Sequence, residues 1–533
     1  MLQGDQIGAA QWRPFAAFVP VAAEARARDW TWVIVLCAAQ ALLWSLAFGL
    51  TYRAPEIDSA EQFVWSFSLE NGYWKHPPMP SWIMHALILV FGTSVALPFI
   101  ATQVSTVVAL ALTWRLGCEF MSARRSLVAM LLTSLVTYHN IGADSFNHNS
   151  ALLPFQAATL LLFYRATRHG MPHQWALAGL FAGLAMLVKY VTLWPLLGML
   201  VYFALDRHLH TKRQLIGLAI AVAVFVLTML PHMVWLHTSD FLPFRYARSV
   251  AQSLPGLTQT AWGLAIFLFM QALRLVPFVC GAWFVMRGGP GVWPTGVPSS
   301  PNPARRDLLF LWVAAVSPLF FTIITSLATE TEMQSRWGAN AFLLSGWVVM
   351  ACVRQNDSER TLRRALRFAA VAHLLLCLGM TLSKTVFAEH MSVRTRANFP
   401  GATLARNASL TWKAHSNAPL RIVVSDIWLG GNIIANSANR VAVLIDGHYV
   451  KSPWVRENAV RDCGALVLDD QTADAAGHGE TNSALDAMMS RADFKGMWEL
   501  PWAGRDTGGR RGFSGQVRWG VILPRNAGAC NMR

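Results

Sequence analysis

The sequence predicts an α-helical polytopic membrane protein with a small α/β domain at its C-terminal end. Three observations predict it. Of 533 residues 54% are hydrophobic and only 14% charged, with a mean hydropathy of +0.37, too apolar for an ordinary soluble chain. Runs such as 30–50, 261–286 and 308–328 are nearly uncharged and about 20 residues long, the length a helix needs to cross roughly 30 Å of hydrocarbon. After residue 386 the pattern changes to short apolar stretches separated by Gly, Asn, Asp and Pro.

The basic residues order the membrane part. A segment 1–29 carrying Arg13, Arg26 and Arg28 is assigned to the cytoplasm, followed by a first span and a far-side loop at 52–95. No small-residue cleavage site follows that span, so it reads as a retained anchor rather than a signal peptide. Within the loop, residues 80–91 are apolar but short and end at Gly92-Thr93-Ser94, so they read as a helix lying along the interface. With the second span at 96–114, Arg115, Arg124, Arg125, Arg165, Arg168, Arg207, Lys212, Arg213, Arg287, Arg305, Arg306 and the arginines of 354–367 all fall on one side. Counting 80–91 as a span would reverse the first of these clusters, against the positive-inside rule.

The remaining spans are predicted at 126–138, 151–164, 175–188, 191–205, 215–236, 262–286, 308–328, 339–353 and 368–386, about eleven in all, with 387–533 outside. The Gly, Pro and Ser of 288–303 read as a cytoplasmic linker. The net charge of +15 is then a record of topology and not a nucleic-acid surface. Strands are expected at 421–424, 441–445, 465–468 and 516–523. Of seven cysteines only Cys463 and Cys530 lie in the polar C-terminal region, where an oxidising compartment would allow a disulfide between them.

Sorted by side, the polar residues are unequal. The outer face collects Glu56, Asp58, Glu61, Lys75 and His76, then Asp144, Asn147, His148 and Asn149, then Lys189, then Asp240 and Arg245, then Arg336. Carboxylates, imidazoles and amides converging from several loops are what an active site requires, whereas a basic cytoplasmic rim serves insertion. Plainer readings stand beside this one: Asp58 as the N-cap of a helix over 59–69, Lys75 and His76 as interfacial anchors, and 144–149 as a cap for the next span. Lys189 sits between apolar runs and calls for an anionic partner or a wet cavity, and Arg274, near the middle of a predicted span, calls for the same or for a structural ion pair.

The stretch DSAEQFVWSFSLENGYWKHPP from Asp58 to Pro78 resembles the first outer loop of family 39 glycosyltransferases in the bacterial PMT_2 branch, relatives of protein O-mannosyltransferases. Weaker matches follow at ADSFNHNSALLPF, LVKYVTLWPLL and LPHMVWLHTSDFLPFRYA. The resemblance implies the GT-C fold, a bacterial inner-membrane location with a periplasmic C-terminal domain, and transfer of a sugar from a polyprenyl-phosphate donor to a lipid, glycan or protein acceptor, with no nucleic acid involved. It places Asp58 as the base that takes the acceptor proton in an inverting reaction. It offers Lys189, Arg336, His76 and Arg245 as cations for the donor phosphate, and Asp144, Asn147, His148 and Asn149 as polar groups of the second loop.

Ser59 and Asn149 stand where relatives carry acids, so a divalent metal is left open as a cofactor. The C-terminal domain, beside the outer loops, is a candidate for acceptor recognition. A transporter or flippase of a lipid-linked sugar would instead show inverted repeats and polar groups near the midplane. A degenerate scaffold would keep the fold and lose the chemistry.

Overall fold

The computed structural model describes residues 23–250, 256–287, 303–352, 358–391, 393–437, 440–472, 483–503, 513–526 and 530–531. Most of segment 1–29 and nearly all of linker 288–303 lie outside the described residues.

The chain opens with α1 (Ala23–Thr51), a helix α2 (Ile57–Trp65) in the first loop, and α3 (Met79–Phe91). Thirteen residues of α3 rise only about 20 Å, too little to cross hydrocarbon. Pro80, Ser81 and Met84 are buried while Leu89, Val90 and Phe91 are exposed, as an interfacial helix requires.

The bundle continues with α4 (Leu97–Gly117), α5 (Ala123–Ser134), α6 (His148–His169), α7 (Pro172–Val188), α8 (Leu193–Leu205) and α9 (Lys212–Thr238). It closes with α10 (Leu242–Val250), α11 (Leu257–Met286), α12 (Arg305–Thr329), α13 (Ser345–Cys352) and α14 (Glu359–Leu382), which runs on to α15 (Ala388–His390).

Among the described residues six helices are long and apolar enough to cross a membrane, and they coincide with six of the eleven predicted spans. The other five are α5, α6, α7, α8 and α13, which are shorter or more polar. The span expected at 339–353 shrinks to the eight residues of α13. Its first residues, 339–344, are instead turns that follow a 3-10 turn over Ser335–Gly338, held where Gln156 Nε2 donates to Asn340 O at 3.1 Å.

Close approach sets the packing of α7 on α9. A Cβ on Gly179 would lie 2.1 Å from Ala221 O, and one on Gly183 would lie 2.8 Å from Thr228 Cβ, so this Gly-x-x-x-Gly pair lets the two backbones meet.

Ion pairs sort the two ends of the bundle. At one end Arg115 and Arg165 reach Glu119 at 2.9 and 2.8 Å, Arg306 reaches Asp206 at 2.6 Å, and Arg168 pairs with Asp307. The connections after α4, α6 and α8 and before α12 therefore meet at one place, as the arginine register expects. The loops carrying Asp58, Asn147 and Arg336 meet elsewhere.

The C-terminal part consists of α16 (Gly401–His415), β1 (Ile422–Ser425), α17 (Ile427–Ala435), β2 (Ala442–Ile445), α18 (Ala459–Cys463), β3 (Ala465–Asp470), α19 (Ser483–Ser490), β4 (Phe494–Ala503) and β5 (Phe513–Ile522). The sheet order is β2-β1-β3-β5-β4, parallel from β2 to β3 and antiparallel beyond. Every residue of β1 and β2 is buried, which explains why they read as continuous apolar runs. The strand missing from the expectation is β4, an edge strand whose Gly496 and Pro501 mask its pattern; its ladder shifts register between Pro501 and Ala503. Cys463 and Cys530 are joined in a disulfide.

Several contacts tie this part to the first loop. A Cβ on Gly431 of α17 would lie 2.6 Å from the Cβ of Ala60 on α2, so the glycine lets the helices touch. On the same loop Arg396 lies 3.5 Å from Glu56.

Candidate active site

Asp58 is not a helix cap. The N-cap of α2 is Glu56, which makes no side-chain capping bond, and Asp58 lies in the first turn with its carboxylate turned across the loop. Its Oδ2 accepts from Asn147 Nδ2 at 3.1 Å and from Arg336 Nη1 at 3.2 Å. Asn147 also caps α6, its Oδ1 accepting from the backbone N–H of Asn149 and Ser150 at 2.8 and 3.1 Å. One amide thus starts a helix and aims the carboxylate.

Behind this pair lies a cavity of about 200 Å³ lined by Tyr138, Asp144, Asn147, Asn149, Arg274 and Arg336, among others. Arg274 stacks over the Tyr138 ring at 5.2 Å and pairs with no described carboxylate. The arginine noted in the middle of a predicted span therefore belongs to the same cavity as Asp58's partners. Its signal in the sequence was a single charge in an otherwise apolar run.

At the same cavity Asp144 Oδ2 accepts from Tyr52 Oη at 3.1 Å. Burial raises the Asp144 carboxyl above the usual range, opposed by Arg336, and burial together with the Asp144 charge raises Glu56.

Lys189, in the turn between α7 and α8, donates from Nζ to Asn149 Oδ1 at 2.5 Å. Burial pulls its ammonium down to about 8, against the attraction of Asp58. His76 and His148 stack with ring centroids 4.1 Å apart. Burial and the Lys189 charge bring His76 down to about 3; burial, His76 and Lys189 lower His148, so both rings are neutral at neutral pH. Lys75 donates to Glu61 at 2.7 Å, a largely buried ion pair and no simple interfacial anchor. Arg245 is not brought to this place: it pairs with Asp240 at 2.7 Å, both side chains well exposed.

Of the residues the sequence singled out, the fold brings together Asp58, Asp144, Asn147, Asn149, Lys189 and Arg336, with His76 and His148 beside Lys189. The donor set does not fit a divalent metal. Asp58 and Asn149 already face the cations Arg336 and Lys189, which a dication would have to displace, and among the described residues no three His, Cys, Asp or Glu side chains gather as a metal site.

Residues 75–235 match the family profile of the dolichyl-phosphate-mannose-protein mannosyltransferases, PMT_2. The chain is a glycosyltransferase, and over that stretch it is similar to the PMT_2 family. The enzyme is 25% identical over 392 residues to the lipopolysaccharide core galacturonosyltransferase RgtA of Rhizobium johnstonii, covering 71% of this chain and 75% of that one. It is 23% identical to the lipid A galacturonosyltransferase RgtD of the same organism, over 63% and 68% of the two chains. Its fold is similar to that of ArnT from Cupriavidus metallidurans bound to undecaprenyl phosphate, with a TM-score of 0.59, 13% identity, and coverage of 91% and 97%. The enzyme therefore has the GT-C fold expected from the first loop.

Proposed function

We propose that this enzyme moves a sugar from a polyprenyl-phosphate donor to an acceptor of the lipid A or lipopolysaccharide-core class, with inversion and with Asp58 as general base. The observation that carries the reading is the Asp58 carboxylate held by Asn147 and Arg336 at a cavity that Arg274 also lines. A base and two guanidinium groups at one cavity suit a reaction that removes a proton and leaves a phosphate. The named activities of RgtA and RgtD, and the undecaprenyl phosphate in the ArnT structure, support the choice of acceptor and donor classes.

The acceptor oxygen attacks the anomeric carbon as its proton passes to Asp58. The bond from that carbon to the phosphate oxygen breaks, and the phosphodiester becomes a monoester with one more negative charge. That added charge falls to Arg336 and Arg274, fixed donors whose attraction grows in the transition state. Only one base is needed, because the phosphate leaves already ionised. Asp144 and Asn147 line the same cavity. The reaction faces the periplasm of a bacterial inner membrane, with domain 387–533 on that side. The polar residues crowd one end of the bundle, which favours an outer-face transferase over a carrier with a midplane site.

Asp58→Asn keeps the shape and removes the base. With a synthetic undecaprenyl-phosphate sugar and purified lipopolysaccharide acceptor, transfer should fall roughly 100- to 10,000-fold while the variant inserts normally. An unchanged rate would sink the mechanism.

A further inference from the structure

We propose that Tyr138 is a positioning residue for the transfer: its ring seats Arg274 and its hydroxyl seats the turn that carries Arg336, so one phenol sets both guanidiniums at the cavity. This rests on the glycosyltransfer reading above, in which those two cations meet the leaving phosphate.

The parts come from three distant places in the chain. Tyr138 lies in the 3-10 turn Thr137–His139 after α5, Gln271 and Arg274 lie on α11, and Arg336 lies in the 3-10 turn Ser335–Gly338. Gln271 and Arg274 are three residues apart, so they share one face of their helix. Both meet Tyr138. The Arg274 guanidinium stands over the phenol ring, 5.2 Å from its centroid, and the Tyr138 hydroxyl donates to Gln271 Oε1 at 2.8 Å.

The same hydroxyl meets Ser335 O, and Gln271 Nε2 donates to that oxygen at 3.1 Å. Tyr138, Gln271 and Ser335 thus close a small hydrogen-bonded network. The Ser335 carbonyl belongs to the planar peptide that leads into Arg336, so holding it fixes the direction in which the arginine leaves the chain. The far end of the turn rests on the same glutamine. A Cβ on Gly338 would lie 2.1 Å from Gln271 Oε1, an approach that only glycine allows.

Tyr138 and Gln271 are both buried. A buried amide in an apolar helix is costly unless its polar atoms are bonded, and those of Gln271 are bonded to Tyr138 and to the Arg336 turn. Arg336 itself is half exposed, and among the described residues its one ion-pair partner is Asp58. A long side chain on a loose turn would not stay where charge develops. The buried pair supplies the firmness that the exposed arginine lacks.

The test uses the purified full-length enzyme with the donor and acceptor named for Asp58→Asn. Tyr138→Phe removes the hydroxyl and keeps the ring, and kcat should fall about 10- to 100-fold with KM changed far less, the scale of a misplaced group. Gln271→Leu should lose a similar factor. In an Arg336→Gln chain, Tyr138→Phe should cost less than about twofold more, because the arginine through which the hydroxyl acts is gone. Tyr138→Leu removes the ring as well, and its further loss should vanish in an Arg274→Gln chain. A purely structural tyrosine would lower every background by the same factor, so additive losses overturn the inference, as does a full-rate Tyr138→Phe enzyme. Should Tyr138→Phe fail to fold, Gln271→Leu carries the same cycle with Arg336→Gln. An Arg336→Gln enzyme of unchanged kcat overturns the parent reading together with the inference; a slow Arg336→Gln enzyme with additive Tyr138→Phe overturns the inference alone.

Discussion

Arg336 lies 278 residues from Asp58 in sequence, yet its Nη1 stands 3.2 Å from the Asp58 carboxylate. The guanidinium also lines the cavity proposed for the donor phosphate. It thus touches the proposed base on one side and the proposed place of the leaving group on the other. With donor absent, the pair holds Asp58 in position. In the proposed mechanism the bound donor shares the same arginine, which leaves the carboxylate less shielded when the acceptor arrives.

Arg336→Gln should lower kcat by about 100- to 1,000-fold, the loss expected for one fixed donor to developing charge. Arg336→Lys keeps charge without the fork and should recover part of it. Both partners are more than a third exposed, so the ion pair itself adds little stability. Thermal unfolding of both variants should stay close to wild type; a large drop would assign the kinetic loss to misfolding instead.

The helix that carries Asp58 is placed from the C-terminal domain. Gly431 abuts Ala60, two residues after Asp58, with no room for a side chain. In Gly431→Ala the new methyl meets Ala60 and pushes α2, so kcat should fall about tenfold or more through misplacement of the base. Ala60→Gly in the same chain reopens the space and should restore activity. A double-mutant cycle on kcat measures the coupling, and simple additivity would show that the contact does not position Asp58.

The two ends of the bundle were legible in the sequence because insertion leaves arginines at one of them. The partners Arg115–Glu119 and Arg306–Asp206 now lie together there. The first-loop motif likewise led to Asp58. Which of the outer-face cations belongs to Asp58 was not legible, because Arg336 and Arg245 are alike in type and predicted side. Only folding turns one into the cavity and leaves the other on Asp240. The contact of Gly431 with Ala60 was hidden for a similar reason: its signal is an absent side chain, read only against a partner far away in sequence. Strand β4 was missed because an edge strand tolerates Pro501 and so loses the usual alternation.

Activity should also carry the signature of Lys189. In the free enzyme burial holds its ammonium at about 8, below the ordinary 10.5. The cation is therefore lost as pH rises through about 8, and kcat/KM for an anionic donor should fall on that alkaline limb. Stability moves the other way. The unfolded chain keeps its proton up to 10.5, so the cost of the buried charge is full below about 8 and fades as pH climbs from 8 towards 10.5. Lys189→Arg should push the alkaline limb upward, and a limb left in place would show that another group sets it.

The disulfide gives a test of which compartment the C-terminal domain occupies. Cys463 ends α18 beside β3, and its bond to Cys530 closes a 67-residue separation. The other five cysteines, Cys37, Cys118, Cys280, Cys352 and Cys377, are free. Protein taken from cells under denaturing, non-reducing conditions should therefore accept five alkyl groups, and seven only after reduction, given seven cysteines in the chain. A cytoplasmic domain would be kept reduced and give seven at once. Cys530→Ser removes the cross-link and should cost the domain about 2–4 kcal/mol, seen as earlier thermal unfolding. Because α17 of the same domain seats the Asp58 helix, sugar transfer should be lost at the temperature where this domain melts, before the bundle itself unfolds.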